Sequence, residues 1–106
     1  MLVNTSELVG TALDWAVAQC EGVVDYPNLK NGDWGWTSYA PSRKWEQGGP
    51  IVEREKIAIG FDDEFGWMGA NMDGFYITGA TPLEGAMRCY AISKLGAEID
   101  IPEELL

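Results

Sequence analysis

The chain has 106 residues, which is the length of a single domain (1–106) with a modest core. Seventeen acidic residues against seven basic ones give a formal charge of −10. This balance argues against free nucleic acid or an anionic membrane as a broad partner, because phosphate contacts need clustered cations. No apolar run reaches the roughly 20 residues of a membrane span and no secretory signal pattern is present, so we expect a cytoplasmic protein.

The first predicted element is a helix over residues 5–21. Asn4 offers a side-chain oxygen as an N-cap, and Glu7 follows three residues later, which is the spacing of a capping box. Gly22 supplies the stop. Apolar residues recur between them at steps of three and four, namely Val9, Leu13, Ala16, Val17 and Cys20.

The stretch from Val23 to Trp45 is predicted to be a long, aromatic-rich loop, because glycine, proline and asparagine interrupt it every few residues. Such a connection is uncommon in a small domain and is usually functional or disordered. Its tryptophans (Trp34, Trp36 and Trp45) argue against disorder. We therefore predict a functional loop, with the alternative that its aromatic side chains only seal it onto the domain.

The middle of the chain is predicted to form an antiparallel meander of three strands. The last part of Ile51 to Phe61 alternates as a strand, and Phe65 to Ala70 and Phe75 to Thr78 follow as two more. Polar turns separate them, Asp62-Asp63-Glu64 first and Asn71 to Gly74 second. The three acidic residues stand in a row without the alternate spacing of a calcium loop, so we predict no metal site.

The second predicted helix covers residues 82–95. Thr81 as N-cap, Pro82 at the first position and Glu84 at the third make a complete helix start, and Gly96 is placed to end the helix. Its apolar face is Leu83, Met87, Tyr90, Ala91 and Leu95. A short strand near Glu98 follows. The elements together predict an α+β domain in which two helices pack on one face of a small, mainly antiparallel sheet.

The candidate ligand site falls in the stretch from Trp34 to Arg54. Aromatic rings there can stack a planar ligand such as a nucleobase, arginines can bind a phosphate, and the amides of paired glycines can approach the same anion. The predicted ligand-binding residues are Trp34, Trp36, Tyr39, Arg43, Trp45, Gly48, Gly49 and Arg54. The alternative is that Gly-Gly-Pro forms a turn before a strand and that the basic residues pair with neighbouring glutamates.

Catalysis is not predicted. The chain contains no histidine, no nucleophile motif and no metal-ligand cluster, so we expect neither catalytic residues nor a cofactor. The sequence favours binding over any named reaction.

Three blocks of the sequence resemble the NinX family of small bacteriophage proteins, named after the phage P22 member. They are TSELVGTALDWAVAQCEG at 5 to 22, YAPSRKWEQGGPIVEREKI beginning at Tyr39, and GATPLEGAMRCYAISKLGAEIDIPEELL at 79 to 106. The resemblance implies a phage or prophage accessory protein expressed in the cytoplasm of the bacterial host. It brings no catalytic residues with it.

Two functions are compatible with these features. The first is a non-enzymatic binder that sequesters a small nucleotide-like ligand, as a phage protein acting in counter-defence would. The second is an acidic interaction protein, a nucleic-acid mimic or adaptor that binds a basic host or phage protein. A binder needs aromatic and arginine side chains that converge on a concavity, whereas a mimic needs its carboxylates on one face. Homo-oligomerisation stays open in both cases.

Overall fold

The computed structural model describes residues 1–22 and 39–105, and it confirms the predicted α+β class. Three α-helices occur in the described residues: α1 is Gly10–Glu21, α2 is Trp45–Glu55 and α3 is Pro82–Leu95. They accompany two small antiparallel sheets. Most of the predicted aromatic-rich loop, with Trp34 and Trp36, lies outside the described residues.

One of the two sheets pairs the two ends of the described chain. Strand β1 (Leu2–Asn4) runs antiparallel to the last strand, β5 (Glu98–Asp100), with Val3 opposite Ile99. The sequence predicted β5 but not β1.

The three-stranded meander is confirmed, with β2 at Ala58–Asp62, β3 at Gly66–Ala70 and β4 at Tyr76–Gly79. Its strands run antiparallel. Asp62 closes the first turn, because its Oδ1 accepts hydrogen bonds from the amides of Glu64 at 2.8 Å and Phe65 at 2.9 Å. That carboxylate therefore has a structural role in the hairpin.

The predicted helix over 5–21 is correct only in its second part. Thr5–Glu7 forms a 3-10 turn, and α1 begins at Gly10. Thr5 is held by tertiary contacts instead, since its amide donates to the carbonyl of Ala97 at 2.8 Å and its hydroxyl to that of Gly96 at 2.7 Å. Asn4 makes no capping bond to the backbone. Contacts with the end of α3 thus override the local capping signal.

The predicted helix over 82–95 is confirmed at both ends. The Oγ1 of Thr81 accepts a hydrogen bond from the Glu84 amide at 3.1 Å, and the Glu84 carboxylate accepts one from the Ala80 amide. Pro82 is the first residue of α3, and Gly96, with a φ of 89°, ends it. The start of α3 is therefore fixed by its own sequence.

Helix α2 was not predicted, and the alternative that Gly-Gly-Pro forms a turn before a strand is wrong, because residues 48–50 lie inside this helix. Glycine and proline have low helix propensity, so residues 48–50 favoured a turn. Burial supports the helix instead: Ile51 is 3% exposed, and a Cβ built on Gly48 would lie 2.3 Å from the Pro41 carbonyl oxygen. Lys56, with a left-handed φ of 57°, ends α2 before β2 begins.

Helix α3 lies at the centre of the described structure and contacts the meander, α1 and α2. Of its predicted apolar face, Leu83, Met87, Tyr90 and Ala91 are buried and Leu95 is partly buried. Helix α1 packs mainly against α3 and not against a sheet. The sequence had predicted that both helices lie on the sheet. The core combines the buried residues Leu13, Val17, Ile51, Met87, Tyr90 and Ile101.

Glycines allow α3 to approach the meander at backbone distance. A Cβ on Gly79 would lie 2.3 Å from the Gly85 amide nitrogen, and one on Gly69 would lie 2.6 Å from the Gly85 carbonyl oxygen. Real Cβ atoms do not approach backbone this closely, so any side chain at these positions displaces the helix. The fit of α3 on β3 and β4 therefore depends on glycine.

We expect Gly79→Ala to lower the free energy of unfolding by about 1–3 kcal/mol, because the added methyl group meets the rigid backbone of α3. The matched control is Gly60→Ala in the same sheet, where no described atom lies within 4 Å of the added carbon. This variant should stay within about 0.5 kcal/mol of wild type. Urea denaturation measures both, and equal stabilities would contradict the close contact.

Candidate functional site

A cavity of about 460 Å³ lies where the three helices begin. Gly10, Trp45 and Pro82, the first residues of α1, α2 and α3, all line it. Its volume is in the range of small-molecule sites, roughly 300–1,000 Å³. Among the described residues, the lining consists of Gly10, Ser42, Arg43, Trp45, Thr81, Pro82, Leu83 and Glu84.

Asp14 joins α1 to the segment before α2. Its side chain is fully buried, and its two oxygens accept hydrogen bonds from the Ser42 amide at 2.8 Å and from the Arg43 guanidinium at 2.9 Å. A buried carboxylate requires such partners, because an unpaired charge in the interior is strongly destabilising. Asp14 therefore determines where Ser42 and Arg43 lie.

The Arg43 guanidinium is only partly used by this ion pair. One terminal nitrogen contacts Asp14, and the side chain is 54% exposed. A guanidinium carries five N–H donors, so donors remain for a bound anion. Arg43 is thus both anchored and accessible.

Ser42 has a buried hydroxyl without a partner. The residue is 4% exposed, and among the described residues nothing hydrogen-bonds its Oγ. The backbone amide of the same residue is used by Asp14. Buried hydroxyls normally have a partner, because leaving one unsatisfied costs about 1–3 kcal/mol.

Two of the three helix starts have no side-chain cap. The N-cap residues of α1 and α2 are Val9 and Lys44, and neither makes a side-chain capping bond. Only α3 is capped in this way, by Thr81. The backbone amides in the first turns of α1 and α2 therefore receive no hydrogen-bond acceptor from an N-cap side chain. The helix dipoles also place partial positive charge at the cavity.

In the described part of the chain, Glu84 is the one carboxylate of the cavity lining. Besides the Ala80 amide, it has Arg88 as a neighbour, with 3.8 Å between Arg88 Nη2 and Glu84 Oε2. Arg88 is itself held by the carbonyls of Leu8 at 2.8 Å and Thr78 at 2.9 Å. As far as the structure describes the chain, the cavity thus combines one cation, one anchored carboxylate, one indole ring and two helix starts without a side-chain cap.

The structure brings two of the predicted site residues, Arg43 and Trp45, to this cavity, and Trp45 is 55% exposed. Tyr39 is partly buried and is not in the cavity lining. The amide of Gly48 donates to the Lys44 carbonyl at 2.8 Å, so it serves α2 and not an anion. Gly49 also lies inside this helix, and Trp34 and Trp36 lie outside the described residues.

Arg54, predicted to meet a phosphate, is occupied by carboxylates and is not in the cavity lining. It donates to Glu21 at 3.0 Å and to Glu55 at 2.8 Å. The Tyr90 hydroxyl also donates to Glu21. The bonds from Arg54 lower the pKa of Glu21, and burial with the bond to Glu21 raises the pKa of Tyr90. Arg54 thus ties together the ends of α1 and α2, which agrees with the alternative that basic residues pair with glutamates.

Sequence reasoning missed Asp14, Ser42 and the contribution of the α3 start to the cavity. Asp14 carried a usable signal, since it is a charged residue between Leu13 and Trp15 in an apolar helix. Such a residue is buried only when it is paired. Ser42 carried no signal, because its buried position is set by the fold.

Within the described ranges, no group of acidic, cysteine or histidine side chains could hold a metal ion. Likewise, none of the helices found there has the length and apolar character needed to cross a membrane.

The fold and the cavity define a small α+β protein with a candidate site at the convergence of three helix starts. The family model of Bacteriophage P22, NinX, matches residues 4–94. The chain therefore belongs to this bacteriophage family, and the resemblance seen in the sequence is confirmed. The matched range includes every residue of the cavity lining. The comparison with curated proteins finds no match.

We expect Arg43→Ala to lower the free energy of unfolding by about 1–3 kcal/mol, because the buried Asp14 carboxylate loses its only described cationic partner. The matched control is Lys44→Ala, which removes a neighbouring cation that makes no ion pair within the described residues. Chemical denaturation at neutral pH measures both variants. Equal losses of stability would show that the pair with Asp14 is not what matters.

Proposed function

We propose that this phage protein is a non-enzymatic binding module that takes a small nucleotide-like ligand in the cavity at the three helix starts. The observation that carries the proposal is the position of Arg43 and Trp45. Both line the same cavity, and both side chains are more than half exposed, at 54% and 55%. A planar group and an anion on one ligand can therefore be bound together.

The chemistry of the lining supports a nucleotide-like ligand. The indole of Trp45 offers a surface for a nucleobase, and stacking of a base on an aromatic side chain contributes about 1–3 kcal/mol. The remaining donors of Arg43 suit a phosphate. The Glu84 carboxylate can accept hydrogen bonds from sugar hydroxyls or base amino groups.

A binding protein of this kind acts by lowering the free concentration of its ligand. For a phage protein in the host cytoplasm, the ligand would be a nucleotide that the bacterium uses as a signal, and sequestering it would serve counter-defence. Sequestration requires tight binding and no catalytic group. A site that offers hydrogen-bond donors and an aromatic ring can supply such binding.

We expect calorimetric titration with a panel of nucleoside phosphates and cyclic dinucleotides to detect at least one ligand. Trp45→Ala should weaken its binding about tenfold or more, because the stacked base loses its platform. The matched control is Phe65→Ala, which removes an equally exposed aromatic residue, 62% accessible, from the β2–β3 turn. This variant should bind as the wild type does.

Two results would contradict the proposal. One is a wild-type protein that binds no compound in the panel. The other is a Trp45→Ala variant with unchanged affinity. Recovery of a basic protein with the chain, together with no small-molecule binding, would favour the alternative of an acidic interaction protein.

A further inference from the structure

We infer that the part of the cavity next to Ser42 is a subsite for a single phosphate group, so that the ligand is a nucleotide with one phosphate. This inference rests on the proposed function and adds the ligand class to it. Ser42, Arg43 and the starts of α1 and α2 carry the argument.

The first observation is the convergence of helix starts. The first residues of α1 and α2, Gly10 and Trp45, both line the cavity, and neither helix has a side-chain cap. Amides of an uncapped first turn are hydrogen-bond donors with partial positive charge. A phosphate accepts hydrogen bonds and is negatively charged, so it suits these amides on both counts. Phosphates are commonly bound at helix N-termini.

The second observation is independent of the helices. Ser42 lines the same cavity and is only 4% exposed. Its Oγ has no hydrogen-bond partner among the described residues. Rotation about one side-chain bond changes the direction of this hydroxyl. A phosphate oxygen in the cavity would give the hydroxyl the acceptor that it lacks.

Asp14 acts here as a positioning residue. It binds the Ser42 amide and the Arg43 guanidinium from the protein side, at 2.8 and 2.9 Å, and does not line the cavity itself. The unused donors of Arg43 are therefore accessible to an anion, and the Ser42 hydroxyl, whose Oγ is buried, reaches the same anion after its side chain rotates. Because Asp14 holds the Ser42 backbone and the Arg43 guanidinium, the rearrangement needed on binding is limited to the Ser42 side chain.

Glu84 limits the charge of the ligand. Its carboxylate lines the cavity, and like charges in a partly desolvated site repel each other. One phosphate can be bound by the donors around Ser42, whereas each further phosphate would bring more negative charge into the cavity that Glu84 also lines. Neutral sugar hydroxyls can instead donate to this carboxylate. We therefore expect preference for nucleoside monophosphates over diphosphates and triphosphates.

The test uses calorimetric titration of the whole chain with AMP, GMP, CMP and UMP, with the matching nucleosides and diphosphates, and with inorganic phosphate as a competitor. At least one monophosphate should bind tighter than its nucleoside and its diphosphate, and inorganic phosphate should compete with it. Ser42→Ala should weaken that monophosphate about tenfold or more, since one bond to a charged group is lost.

The structure supplies two further variants for this test. Ser42→Ala should melt as the wild type does, because its Oγ bonds nothing described, and Ser6→Ala, an exposed serine outside the cavity, is its matched control. Glu84→Gln keeps an acceptor oxygen for the Ala80 amide but removes the charge. This variant should reduce the preference for monophosphate over diphosphate about tenfold.

The outcomes separate the subsite from the proposed function. If a nucleotide binds and Trp45→Ala weakens it while Ser42→Ala does not, the phosphate subsite is wrong and the proposed function stands. A nucleoside that binds as tightly as its monophosphate also overturns the subsite. If neither nucleotides nor phosphate bind the wild type, both proposals fail.

Discussion

The backbone contact between α3 and the meander is the constraint on which the rest of the described structure depends. Gly69 and Gly79 leave no room for a Cβ beside Gly85, so α3 lies against the sheet at a distance that only glycine permits. Helices α1 and α2 then pack on α3. Because all three helices begin at the cavity, the same contact determines where the site can form.

The charged residues described at the site, Arg43 and Glu84, are a small part of the charged residues of this strongly acidic chain. Of the cations described, Arg54 and Lys94 lie near Glu55, and Arg88 lies near Glu84. Arg43 differs, since its partner Asp14 is buried behind it and the rest of its guanidinium is accessible. An excess of carboxylates elsewhere repels other anions, so an anionic ligand is bound only where donors are concentrated.

The sequence predicted those features that are encoded locally. The start of α3 follows from Thr81 to Glu84 alone, and the meander follows from alternation and turn residues. Helix α2 could not be predicted, because residues 48–50 disfavour a helix and the burial of Gly48 and Ile51 that supports it arises only in the folded domain. Arg43 and Trp45 were found through their residue types. Ser42 was not, because its burial depends on Asp14, which lies 28 residues earlier in the chain.

The most direct test of the account is a titration of ¹⁵N-labelled protein with the tightest-binding nucleotide, followed by amide chemical shifts. The largest shifts should fall in the first turns of α1 and α2 and at Ser42 and Arg43, with smaller shifts at the start of α3. Shifts concentrated around Glu21 and Arg54, or on the strands of the meander, would contradict it.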